Sequence, residues 1–242
     1  MFPYDGTILA AVKAPPQSVA DVLAIMSKVD SVCEEGDGLK WFNWLYMSVT
    51  EAVEARVKEG EFQDAAWMAA LDVHFAGFYF NALRAALSGE TAPGCWQAML
   101  EQRDQVAIAR IQFAVAGINA HINHDLPEAV VATCRESGIA PQHGTAQYTS
   151  YTALNPTLDS LIDMAKKELN FRLLGDELPD VSHLNATLEA WSVQAAREAA
   201  WSNAEILWQL APAQLLSAAF LQNLDGLTEL ASRTLLVPVP MP

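Results

Sequence analysis

The stretch IARIQFAVAGINAHINHDLP, Ile108–Pro127, decides the fold. Ile108, Ile111, Phe113, Val115 and Ile118 place apolar side chains on most sides of one helix, which therefore has to lie inside the protein. The periodic segment is expected to run from Asp104 to Asp125. At its carboxyl end Asn119, His121, Asn123, His124 and Asp125 crowd into an otherwise apolar element. Polar side chains in such a place cost free energy unless something pairs with them, so this end reads as a candidate site. Pro127 suits the first turn of a following helix, Leu126 to Glu136.

The same helical period extends in both directions. Phe62 to Leu87 is a second long, almost wholly apolar helix. Ser18 can cap a helix through about Val29, and Asp37 to Lys58 is aromatic-rich, with Gly60 ending it. A short helix is expected from Cys95 to Glu101. The region of His143, Tyr148, Tyr151 and Asn155 reads as a long polar loop, of the kind that covers sites. Further helices are expected at Asn155–Leu169, His183–Leu210 and Ala213–Leu235, the last bending at Asp225-Gly226. Alternating strand patterns are scarce. The expectation is an all-α, single-domain bundle over residues 1–242, with about eight or nine helices around two long apolar central ones and an extended tail at 236–242.

Composition narrows the function. Of the 242 residues, 52% are hydrophobic and 18% charged, so a sizeable core is expected and disorder is not. The net charge of −15 disfavours nucleic acid and anionic membrane surfaces as partners. The three cysteines are far apart and lack C-x-x-C spacing, as expected for thiols in a reducing compartment. With no basic and apolar leader at the amino terminus, a cytoplasmic protein is expected. The apolar fraction leaves room for a homodimer interface. No dinucleotide, phosphate-loop, nucleophile-elbow or H-E-x-x-H signature is present.

His121 and Asp125, four apart, share a helical face, and His124 can join it. One arrangement is metal-free: His121 is the general acid/base, oriented by Asp125 or Asp72, with Asn119 or Asn123 holding a developing oxyanion. It requires no cofactor. The alternative is a zinc or other divalent site built from His74, His121 and Asp125 for ester or phosphoester hydrolysis. Asp72 and His74 point about 200° apart on a helix, so one of them faces the site; His74 is favoured and Asp72 is its rival. A purely structural polar knot, with Asp125 capping the next helix, is a third arrangement. A separate stripe of Trp191, Glu198, Trp201, Glu205 and Trp208 could line a ligand pocket, or form a core stripe whose glutamates pair with arginines. Tyr148 and Arg110 are further ligand-binding candidates.

The segments Gly6-Thr-Ile, Pro16-Gln-Ser-Val-Ala-Asp-Val-Leu, Trp44-Leu-Tyr46, Leu71-Asp72-Val-His74-Phe and Phe113–Pro127 resemble the family labelled domain of unknown function number 5995, over most of residues 5–210. The resemblance implies a helical protein built around the Asn-Ala-His-Ile-Asn run and supplies no reaction. The segment Gln147–Asn155 departs from that family, in which an acidic–aromatic pair precedes the asparagine. The pair His121 and Asp125 is also similar to the helical His-x-x-x-Asp ligands of zinc-dependent phospholipases C. Together these features lead to an expected enzyme of cyclase or isomerase type acting on a small, largely apolar molecule. The alternatives are a metal-dependent hydrolase and a non-catalytic small-molecule binding protein.

Overall fold

A computed structural model describes residues 2–171, 173 and 192–238. Within them the chain is all-α. In order come α1 (Asp5–Ala11), α2 (Val19–Val32), α3 (Gly38–Glu59), α4 (Ala65–Ser88), α5 (Gly94–Leu100), α6 (Arg110–Ala120), a π-helical turn (His121–Asp125), α7 (Leu126–Ser137), α8 (Ala146–Ala153), α9 (Asn155–Glu168), α10 (Val193–Leu210) and α11 (Gln214–Leu235). Trp191, the start of the expected His183–Leu210 helix and the end of the expected extended tail lie outside the described residues.

Helix α6 is the axis of the bundle, and every residue from Ile111 to Ala120 is buried. It packs on α3, which turns Leu39, Phe42, Leu45, Tyr46, Val49 and Val53 inward at three- and four-residue steps. Each such side chain taken from water contributes roughly 1.5–3 kcal/mol. Gly117 is required for this crossing, because a Cβ there would collide with the Phe42 ring. Helix α4 packs against α3 and α7, α10 lies on α7, and α11 covers α5 and α6.

Three expectations about elements are corrected. The run from Asp104 to Ala109 is not helical: α6 begins at Arg110, and Gln112 Oε1 accepts the Ala109 N–H at 2.8 Å at its start. The polar run 146–153 is helix α8, not a loop. Thr145 caps it by accepting the Tyr148 N–H, and Tyr151 is fully buried on its inner face. Helix α11 continues unbroken through Asp225-Gly226.

The break expected before Pro127 takes another form. Proline lacks the N–H that would bond Asn123, and its ring presses on that carbonyl. One wide π turn absorbs the mismatch, with the Leu126 N–H reaching back to His121 O, so α6 and α7 run on as one rod.

Candidate functional site

The π turn presents three side chains to the interior. The buried Asp125 carboxylate is their hub: His121 Nδ1 lies 2.8 Å from Oδ2, His124 Nδ1 lies 2.7 Å from Oδ1, and the Trp96 indole N–H donates to Oδ2 at 3.0 Å. Burial works to raise the Asp125 pKa. The hydrogen bonds from both imidazoles outweigh it and hold the carboxyl below its usual range. Asp125 therefore does not act as a helix cap; its side chain makes no capping bond.

The two histidines differ. Burial opposes charge on His124, yet Asp125, Glu128 and Asp225 around it raise its pKa. Burial dominates at His121 and lowers its pKa despite Asp125. These shifts favour the charged forms of His124 and Asp125 and the neutral form of His121. With Nδ1–H of His121 donating to Asp125, its Nε2 carries a lone pair. That nitrogen is buried and has no hydrogen-bond partner. The ring is held by a parallel stack on Phe75 at 3.4 Å between centroids and by the edges of Phe42, Tyr46 and Trp96.

His121 lines a partly open slot between α3, α4, the π turn, α9 and α10. Its walls are mainly Leu45, Val49, Met68, Leu71, Ile118 and Leu158. The preformed cavity is about 50 Å³, room for a few waters, so an aliphatic guest enters only as the slot widens. Three more polar side chains open into it: Tyr46, Asp72 and Arg197. Asp72 Oδ2 and Tyr46 Oη are buried without partners, as is Thr50 Oγ1 one turn along from Tyr46. Burial pushes the Asp72 carboxyl up to about 8, so it is a neutral acid and a hydrogen-bond donor near pH 7. Burial, and then the proximity of Asp72, raise the Tyr46 phenol well above its ordinary value.

The expected residues divide accordingly. His121, Asp125 and His124 come together as one unit, and Asp72 joins the cavity. His74 does not: it sits on the opposite face of α4, where Nε2 meets Glu136 at 2.7 Å on the surface. Of the two residues expected to compete for the site, Asp72 lines the slot and His74 does not, so the His74–His121–Asp125 metal set does not converge. Asn119 and Asn123 hold no oxyanion position. Asn119 Nδ2 donates to Thr228 O and Ser232 Oγ on α11, and Asn123 donates to Asn119 Oδ1, so they fasten α11 to the axis. Arg110 stacks on Trp41 and pairs with Glu35, away from the cavity.

The α10 stripe is a separate feature. Its residue Trp191 falls outside the described part. Glu198 and Glu205 clasp the exposed His143 at 2.8 and 2.7 Å, Tyr148 donates to Glu198, and the Trp201 indole packs beneath among Trp67, Tyr148 and Tyr151. None of these residues lines the slot.

Sequence reasoning missed Tyr46, Phe75, Trp96 and the cavity role of Arg197. Tyr46 and Phe75 carried a signal, since both stand in the segments Trp44–Tyr46 and Leu71–Phe75 that carry the family resemblance. Trp96 had none, because only tertiary packing brings the short α5 to Asp125. Among the described residues, one set could hold a cation: Cys95, His124 and Asp225, whose donor atoms lie within 4.8 Å of one another. Asp225 already accepts the Gly94 and Cys95 N–H groups at 2.9 Å and so anchors the start of α5.

No curated protein and no solved structure matches the chain. The profile of a family of unknown function, DUF5995, matches residues 19–238, which takes in every helix from α2 to α11. The chain belongs to that family.

Proposed function

We propose that the protein is an enzyme of isomerase type that moves a proton within a slim, largely apolar molecule, with His121 as the base. One observation carries this reading: His121 Nε2 is an unpartnered lone pair in the wall of a mainly apolar slot, while Nδ1 is fixed by a buried carboxylate. A structural histidine has no need to leave a buried nitrogen unpaired, because that costs roughly 1–3 kcal/mol.

The two unpartnered groups that share the slot with His121, Asp72 and Tyr46, give the base a matching acid. A carboxylic acid kept neutral by apolar surroundings can donate a hydrogen bond to a developing oxyanion. Asp72 in its protonated form and the Tyr46 hydroxyl are two such donors in the same slot. With a carbonyl substrate, Nε2 takes a proton from the adjacent carbon. The C–H electron pair becomes the C=C bond of an enol, and the carbonyl pair moves onto oxygen, which takes the Asp72 proton. Collapse of the enol returns that proton to Asp72, while His121 delivers its own to the original carbon or, in a conjugated substrate, to one further along. Asp125 stays ionised and steadies the imidazolium that forms.

The test is exchange in heavy water with linear six- to nine-carbon methyl ketones and β,γ-unsaturated ketones. Mass spectrometry reads deuterium uptake and double-bond position. The wild type is expected to accelerate uptake, and His121→Gln to reduce it by about 100-fold or more with circular dichroism unchanged. Uptake equal in wild type and His121→Gln, or no acceleration by the wild type with any of these ketones, would overturn the proposal.

A further inference from the structure

The slot has a second polar end. Arg197 projects from α10 into the cavity wall and is 4% exposed. Its Nε donates to Asn155 Oδ1 at 2.8 Å, one terminal nitrogen donates to Tyr151 O at 2.7 Å, and the guanidinium lies over the Tyr151 ring at 3.8 Å. All of these partners are neutral. Among the described residues no carboxylate pairs with Arg197, and burial lowers its pKa.

A buried guanidinium with no acidic partner among the described residues is unusual. The other buried arginine described, Arg103, has two acidic partners, Asp5 and Asp37. Leaving one buried charge uncompensated is strongly unfavourable, so a protein that keeps one gains when an anion arrives. Here the remaining donors stand beside an apolar slot. The α3 wall of the slot runs from Leu45 to Val53, eight steps of 1.5 Å, or about 12 Å along the helix.

We infer that Arg197 receives the carboxylate of a linear, medium-chain monocarboxylic acid whose aliphatic body lies along the slot toward His121. This deepens the proposed function, since it names the substrate class for the same cavity, and it rests on that cavity admitting a guest. A planar fork of donors suits a carboxylate, and the narrow apolar wall suits an unbranched chain. The reacting carbon would then lie well along the chain from the carboxyl group.

The probe is octanoate, whose chain is of about that length, measured by isothermal titration calorimetry on the whole protein beside 1-octanol. Octanoate is expected to bind the wild type roughly 10- to 100-fold tighter than octanol, and Arg197→Gln to abolish that preference while octanol binding persists. Arg197→Lys, which keeps the charge but loses the fork, is expected to fall between them. The preference should survive added salt, because the site is buried and the protein's net charge of −15 repels anions only at long range. Four results would overturn the inference: equal binding of the two probes by the wild type, no binding of either, a preference retained in Arg197→Gln, or a preference erased by salt as at an exposed basic patch. The comparison of octanoate with octanol on the wild type needs no variant to fold. Failure of the catalytic reading looks different, with octanoate preferred and bound normally while isotope exchange does not depend on His121.

Discussion

Two buried polar clusters flank α3, and their contrast separates scaffold from site. At the amino-terminal end of α3, Arg103 joins Asp37 through two hydrogen bonds and Asp5 at 3.0 Å. Asp37 also accepts from Tyr4 Oη and the Leu39 N–H, and the Arg103 carbonyl accepts the Gly38 N–H. One arginine there is shared by two aspartates, and these contacts lock loop 101–109 onto α1 and α3. Some turns further on, Tyr46, Thr50, Asp72 and His121 each leave a buried polar atom without a partner, and Arg197 has no acidic partner among the described residues. A paired cluster specifies how helices meet. An unpaired one carries a standing cost that stability alone does not explain, and such costs concentrate where a ligand completes the set.

Breaking the paired cluster should have the largest effect. Arg103→Met strands the Asp37 carboxylate at full burial and is expected to destabilise the protein by about 3–5 kcal/mol, read by urea unfolding. A change under about 1 kcal/mol would remove the contrast between the clusters.

The unpaired cluster should respond in the opposite direction. Asp72 has a carboxyl near 8 in the folded protein against about 3.9 in the unfolded chain. The folded state therefore binds more protons across that window, and stability falls as pH rises from about 4 to about 8, then levels off. Asp72→Asn removes this term. It is expected to match the wild type near pH 4 and exceed it by about 2–4 kcal/mol near pH 8, as measured by melting at a series of pH values. A variant less stable than the wild type at pH 8 would mean that Asp72 has a structural partner.

The fold was legible because it rests on local rules. The apolar runs of α4 and α6, the Ser18 and Asp37 caps and Gly60 after α3 each announce a helix or its end within a few residues. The π turn was not legible. Pro127 signals a break, but whether the chain ends a helix or widens one turn depends on what α3 and α5 supply beside it. The site was half legible. His121, His124 and Asp125 are neighbours in sequence, so spacing alone brought them together. Asp72 was reduced to a choice of two faces, and the choice fell on His74 because no local pattern tells which face of an apolar helix meets the core. Trp96 and Arg197 reach the site through helices distant in sequence, which no periodicity reveals.

Ring-nitrogen NMR of histidine-labelled protein tests the central claim most directly. At neutral pH the account predicts that His121 has a protonated Nδ1 and an unprotonated Nε2, and that His124 carries protons on both nitrogens. It further predicts that octanoate perturbs the His121 Nε2 resonance in the wild type but not in Arg197→Gln. A His121 ring with Nε2 protonated, or one whose Nε2 is indifferent to octanoate bound in the wild type, would contradict the account.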